Sequence, residues 1–63
     1  MRRVVDVYKN RGRDLVWTYV IHLGNIDFHP AQIDFELEAL RLSQLDKRGA
    51  VNELSAKARH LHK

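Results

Sequence analysis

The stretch Asp14 to Gly24, "DLVWTYVIHLG", constrains this chain more than any other. It is rich in β-branched and aromatic residues, so it reads as a strand. Side chains of a strand alternate between two faces. Here one face carries Leu15, Trp17, Tyr19 and Ile21, and the other Val16, Thr18, Val20 and His22. Both are more apolar than a freely solvated surface requires. The chain must therefore find cover for two sides of one strand.

With 63 residues it has little material to do so. A domain near this size buries only about 60% of the surface its unfolded chain exposes, and small domains commonly need a staple. The sequence holds no cysteine, which removes disulfides and thiolate metal sites. Tight packing or association with another chain remains. We read residues 1–63 as a single domain.

The strand has an obvious partner. Val4, Val5, Val7 and Tyr8 form a second apolar run, joined to the first through "KNRGR". A three-residue loop, Asn10-Arg11-Gly12, with positive φ at Gly12, gives a common bulged hairpin. That loop predicts Lys9 opposite Arg13, Val7 opposite Leu15, Val5 opposite Trp17 and Arg3 opposite Tyr19. Val5, Val7, Leu15, Trp17, Tyr19 and Ile21 then share one face.

Gly24 closes the hairpin, and Pro30 opens a helix: proline suits a first helical position and disfavours helical geometry at His29 before it. Asp27 and Asp34 place negative charge near the positive end of the dipole. The body, "AQIDFELEALRLSQLD", is made of good helix formers. At about 100° per residue its apolar residues form two stripes. Ile33, Leu37 and Leu40 make one; Phe35, Leu42 and Ala31 lie nearly opposite, flanked by Ala39 and Leu45. A surface helix normally has one such stripe. "DKRG" supplies cations and a glycine to end the helix. Beyond Gly49, Ala50, Val51, Leu54, Ala58 and Leu61 fall within one arc, which predicts a second amphipathic helix from Ala50 to about Leu61. A single kinked helix over 30–61 is the alternative.

The expected fold is thus α+β in the order ββαα, a small hairpin followed by two helices, completed by dimerisation. Strand two and the first helix each have more apolar sides than one copy can shelter. Val16, Val20, Phe35, Leu42 and Leu45 are the expected self-association residues.

Charge follows the chain in blocks. Net charge is +3 overall, made of +3 over residues 1–14, −4 over 15–46 and +4 over 47–63. Lys9, Arg11 and Arg13 cluster at the hairpin tip, with Arg2 and Arg3 at its base and Lys57, Arg59 and Lys63 near the chain end. Two-stranded ribbons can enter a nucleic-acid groove, so these residues are the candidates for nucleic-acid contact. The acidic middle and modest net charge weigh against that role.

Other chemistry finds little footing. His60 and His62, two apart, point away from each other on a helix. Asp27 and His29 are two ligands where a closed metal site needs four. Ser43 and Ser55 lack a nearby Asp-His pattern, and there is no glycine-rich phosphate loop. The expectation is a non-enzyme without metal or cofactor. No apolar run approaches the roughly 20 residues that span a bilayer. Asp6 and Lys9 interrupt any signal-like region, and Arg2 stands where N-myristoylation needs glycine. A cytoplasmic protein without membrane contact is expected, acting through protein–protein contacts as a homodimer.

Overall fold

A computed structural model describes residues 1–59 of the chain. The observed order is ββαβ, an α+β fold. Strand β1 (Arg2–Lys9) and strand β2 (Asp14–His22) form the hairpin. Helix α1 (Gln32–Leu45) follows, then a short 3-10 turn (Val51–Glu53) and strand β3 (Leu54–Ala58). The sheet order is β2-β1-β3, with β1 antiparallel to both neighbours. The helix lies across one face; the other has no covering layer among the described residues.

The expected second helix is replaced by β3. Leu54, Ala56 and Ala58 face the helix layer, whereas Ser55 and Lys57 are exposed. The segment "LSAKA" therefore carries a period of two as well as the helical arc. Tertiary context decides between them, because β1 has a second edge that a strand can pair and a helix cannot. The expectation for Leu61, like those for His60, His62 and Lys63, lies outside the described residues.

The hairpin keeps its predicted faces except at Leu15 and Val16, and does not keep its register. Val5 pairs Tyr19, Val7 pairs Trp17 and Arg3 pairs Ile21, two residues away from the expected alignment. One residue comes from a bulge, where Tyr8 pairs Leu15 and leaves Val16 as the extra residue of β2. The other comes from the loop: Lys9 pairs Asp14, so four residues turn rather than three. Asn10 and Arg11 join Gly12 at positive φ (55°, 59° and 85°). The Asn10 side-chain amide donates to the Asp14 carboxylate across the loop. Beyond the bulge the shift is two residues, a whole strand period, so Trp17, Tyr19 and Ile21 stay on the inner face. Between bulge and loop it is one. Leu15, expected inside, therefore pairs Tyr8 on the open face and is 57% exposed, while Val16, expected outside, packs against the core.

The helix start and stop also differ in detail. Pro30 is buried one residue before the N-cap, Ala31. The Ala31 N–H donates to the Asp34 carboxylate at 2.7 Å. At Gly24 (φ 88°) a Cβ would lie 2.7 Å from the Pro30 ring and 2.8 Å from the Phe28 carbonyl oxygen. Only glycine fits there. The stop is made by Lys47, not Gly49. Lys47 takes φ 55°, its N–H reaches the Gln44 carbonyl at 3.0 Å, and the Arg48 N–H reaches that of Ser43 at 3.0 Å. This is the paired-bond ending that usually recruits glycine.

The core lies between sheet and helix: Val5 and Val7 from β1, Tyr19 and Ile21 from β2, Leu54 and Ala58 from β3, Phe35 and Ala39 from α1. Ser43 is fully buried on the same helix side, its hydroxyl donating to the Leu40 carbonyl at 2.7 Å. Ala39 and Ser43 are small, which lets the helix sit close to the sheet beside the Phe35 ring. Phe35, Ala39 and Ser43 therefore form the inward stripe.

Candidate functional site

Three surfaces are left over when this core is complete. The first is the outward side of α1. Ile33 and Leu37 are 54% and 57% exposed, and Leu40, half-buried, packs partly against the core. Positions 33, 37, 40 and 44 repeat at alternating steps of four and three, the spacing of a helix–helix seam. Asp34 and Arg41 line one flank. Arg41 also bonds Glu38 within its own helix, Nη2 to Oε2 at 2.9 Å. On the other flank the Glu36 carboxylate is already engaged. The Arg59 N–H turns inward to the Val4 carbonyl at 2.9 Å, so its neighbour Ala58 points its N–H to the outer edge of β3. Glu36 accepts that N–H at 2.9 Å and blunts the edge against further strand pairing.

The second surface is the open face of the sheet. Register places Arg2, Val4, Asp6 and Tyr8 of β1 there, beside Thr18, Val20 and His22 of β2 and Ser55 and Lys57 of β3. Its centre is Asp6, with a side chain only 12% exposed. The Arg59 guanidinium donates to both Asp6 oxygens, at 2.9 and 3.0 Å. The Thr18 hydroxyl donates to Oδ1 at 2.7 Å. The bonds from Arg59 hold the Asp6 carboxyl below its ordinary range, against the upward push of burial, and Thr18 adds to the lowering. Among the described residues the only acidic group on this face is thereby neutralised from within.

The third surface is the end of the sheet where the hairpin tip meets the 3-10 turn. Asn10, Arg11, Asn52, Glu53, Leu54 and Ser55 line an open cleft of about 350 Å³. Lys9 and Arg13 are exposed at the same tip.

A fourth cluster joins helix and sheet at the opposite edge. Trp17 is 49% exposed, and the Arg48 guanidinium lies over its ring, 4.0 Å from the centroid. Arg48 also donates to the Tyr19 hydroxyl at 3.3 Å, which itself donates to Asp46 at 2.7 Å. Burial, then the bond to Asp46, pushes the Tyr19 hydroxyl pKa upward. These bonds tie the segment after the helix to β2.

The expected site residues are thus dispersed. Phe35 is fully buried in the subunit's own core, and Leu42 and the bulged Val16 are half-buried against it. These three serve the subunit's interior. Val20 is exposed on the open face and Leu45 at the helix end. Arg2, Lys9, Arg11 and Arg13 are exposed. Arg3 is set apart: it points to the helix side, its guanidinium 5.7 Å from the Phe35 ring centroid and its Nε buried without an acceptor. Lys57 projects from β3, and Arg59 from the residue just past its end, rather than from a helix. Sequence reasoning did not single out Ile33 and Leu37 as the outward stripe, although both stripes were visible. Ala39 and Ser43 were the available signal, since small residues beside an aromatic mark the close-packed side. It also missed Glu36 and Asp6, whose roles depend on pairings far along the chain.

Among the described residues no three His, Asp or Glu side chains gather as a metal site would require. No described helix is long and apolar enough to cross a membrane. Comparison with protein-family models, with curated proteins and with solved structures finds no match to this chain.

Proposed function

We propose that this chain is a non-catalytic self-associating module, a homodimer joined through the outward seam of α1, that acts by protein–protein contact. One observation supports the reading above the others. Among the described residues nine large apolar side chains are exposed, including Ile33, Leu37, Trp17 and Leu45. Only six large ones (Val5, Val7, Tyr19, Ile21, Phe35 and Leu54) fill the core. A core this small gains much from a second copy.

The helix seam is the better of the two uncovered faces for that copy. Its centre is aliphatic, and Asp34 and Arg41 sit seven residues apart on one flank. An antiparallel, two-fold pairing sets Asp34 of each copy towards Arg41 of the other. Pairing through the open sheet face would bring Arg2 and Lys57 of two copies together, and like charges oppose that contact.

The test is solution mass by light scattering over a range of concentrations. The wild-type chain is expected at twice its own mass, and Leu37→Asp at the single mass with an unchanged circular-dichroism spectrum. Leu37 is more than half exposed in the subunit, so the fold does not depend on it. A wild-type chain that stays single at millimolar strength overturns the proposal.

A further inference from the structure

We infer that the open sheet face and the cleft at the hairpin tip form a binding surface for single-stranded nucleic acid. A base would enter the cleft, and the backbone would pass over β3. The inference is independent of the helix seam, which lies on the other layer.

The charge pattern of the described residues supports it. Arg2 and Lys57 lie on the open face outside the Asp6–Arg59 pair, and Lys9, Arg11 and Arg13 surround the tip. Three acidic residues share this region. Asp6 is locked by Arg59 and Thr18, and Asp14 is tied to Asn10. Glu53 lines the cleft. Asp27, Asp34, Glu36, Glu38 and Asp46 belong to the helix and its connections instead. A polyanion therefore meets an attractive field on one layer only.

The cleft decides what part of a polyanion it takes. Its Arg11, Asn52, Ser55 and Glu53 are the side-chain types that pair with base edges, and Glu53 accepts from an exocyclic amino group. The same carboxylate repels a phosphate. A base fits this lining, and the phosphate stays outside. Lys57, two residues from Ser55 on β3 and about 6.6 Å along the strand, carries the cationic path away from Ser55. Tyr8, the cross-strand partner of Ser55 on the open face, is half-buried and offers a ring edge or face beside that path. Duplex is the poorer occupant, because its bases are already paired and cannot enter a cleft.

Fluorescence anisotropy of the full chain with short labelled single-stranded oligonucleotides tests this. Binding is expected at low salt and should weaken steeply between roughly 50 and 200 mM. Removing Arg11 and Lys57 together (Arg11→Ala, Lys57→Ala) should cost about tenfold in affinity and lower the salt slope by about 0.7, the value for one lost phosphate contact, that of Lys57, on a single strand. Both side chains are exposed, so circular dichroism should be unchanged. Lys47→Asn removes a cation from the helix layer and should leave affinity unaltered. Glu53→Gln should change the preference among homopolymers. The inference is overturned if the folded chain binds no oligonucleotide at low salt, or if duplex of equal length binds more tightly. It also fails if Lys47→Asn costs as much as Lys57→Ala, if Glu53→Gln tightens all homopolymers alike, or if acidic vesicles are bound and oligonucleotides are not.

Discussion

The two faces of the sheet come from the same three strands, yet they are held by different forces. The covered face presents Val5, Val7, Tyr19, Ile21, Leu54 and Ala58 to the helix, and burial of apolar area is its stabilising term. The open face presents Val4, Asp6, Thr18, Val20 and Lys57, with Arg59 alongside. It is organised by directed bonds around one carboxylate. The first arrangement is non-directional and tolerates a two-residue shift of register without changing its face. The second depends on register, because Thr18 reaches Asp6 only where those two residues are paired. The contrast teaches that strand parity fixes what is buried, whereas register fixes which polar groups meet.

The contrast can be broken most severely from the covered side. Phe35→Ala empties the centre of the core and should cost about 3–5 kcal/mol, read as a lower urea midpoint with little change in slope. Leu42→Asp should also unfold the chain rather than merely separate copies, since Leu42 packs against the core. A folded, monomeric Leu42→Asp chain would show that the inward stripe has been misassigned.

On the open side the expected losses are smaller and depend on pH. Asp6→Ala leaves Thr18 and Arg59 without their acceptor and should cost about 1–3 kcal/mol at neutral pH. The folded Asp6 carboxyl is held below its ordinary value, so its contribution is fully present above the unfolded value of about 3.9. It is lost as pH falls through the folded value, because the unfolded chain takes up that proton first. Urea unfolding between neutral and acid pH should therefore show a loss of stability that Asp6→Asn largely flattens. An equally steep acid limb in Asp6→Asn would place the sensitivity elsewhere.

Two further substitutions sharpen the comparison at its small end. Lys47→Gly should stabilise the chain by about 1 kcal/mol, because Lys47 sits at positive φ in a helix ending that favours glycine. Thermal unfolding would show this as a raised midpoint. Leu37→Ser should change the stability of the isolated subunit by no more than about 0.5 kcal/mol, in contrast to Phe35→Ala two residues away. Measuring both below the association range separates the inward from the outward stripe.

Much of this was legible in the sequence. The hairpin, its inner face apart from Leu15 and Val16, the central helix and the surplus of apolar surface all follow from periodicity and turn chemistry. Three features did not. Residues 54–58 satisfy both a helical arc and a strand alternation, and β1's unpaired edge, not local propensity, selects the strand. Asn10 and Arg11 give no compositional sign that both adopt positive φ, and the bulge at Val16 is invisible before strands are paired. The helix showed two stripes of similar hydrophobicity, and hydrophobicity alone did not choose between them; the small Ala39 and Ser43 beside Phe35 were the one local sign of the inward side. The functional residues were harder still. Glu36 matters through the edge N–H of Ala58, and Asp6 through an arginine 53 positions away.

That last separation has a kinetic consequence. The middle strand of the sheet is synthesised before either of its neighbours, and the second of them comes some fifty residues later. At about 5–20 residues per second, β1 spends several seconds with one flank bare after its hairpin could have closed. During that interval the nascent chain is open to capture by any extended segment nearby. Fidelity in the cell then rests on how quickly the late-arriving strand reaches the vacant side and Arg59 latches onto Asp6.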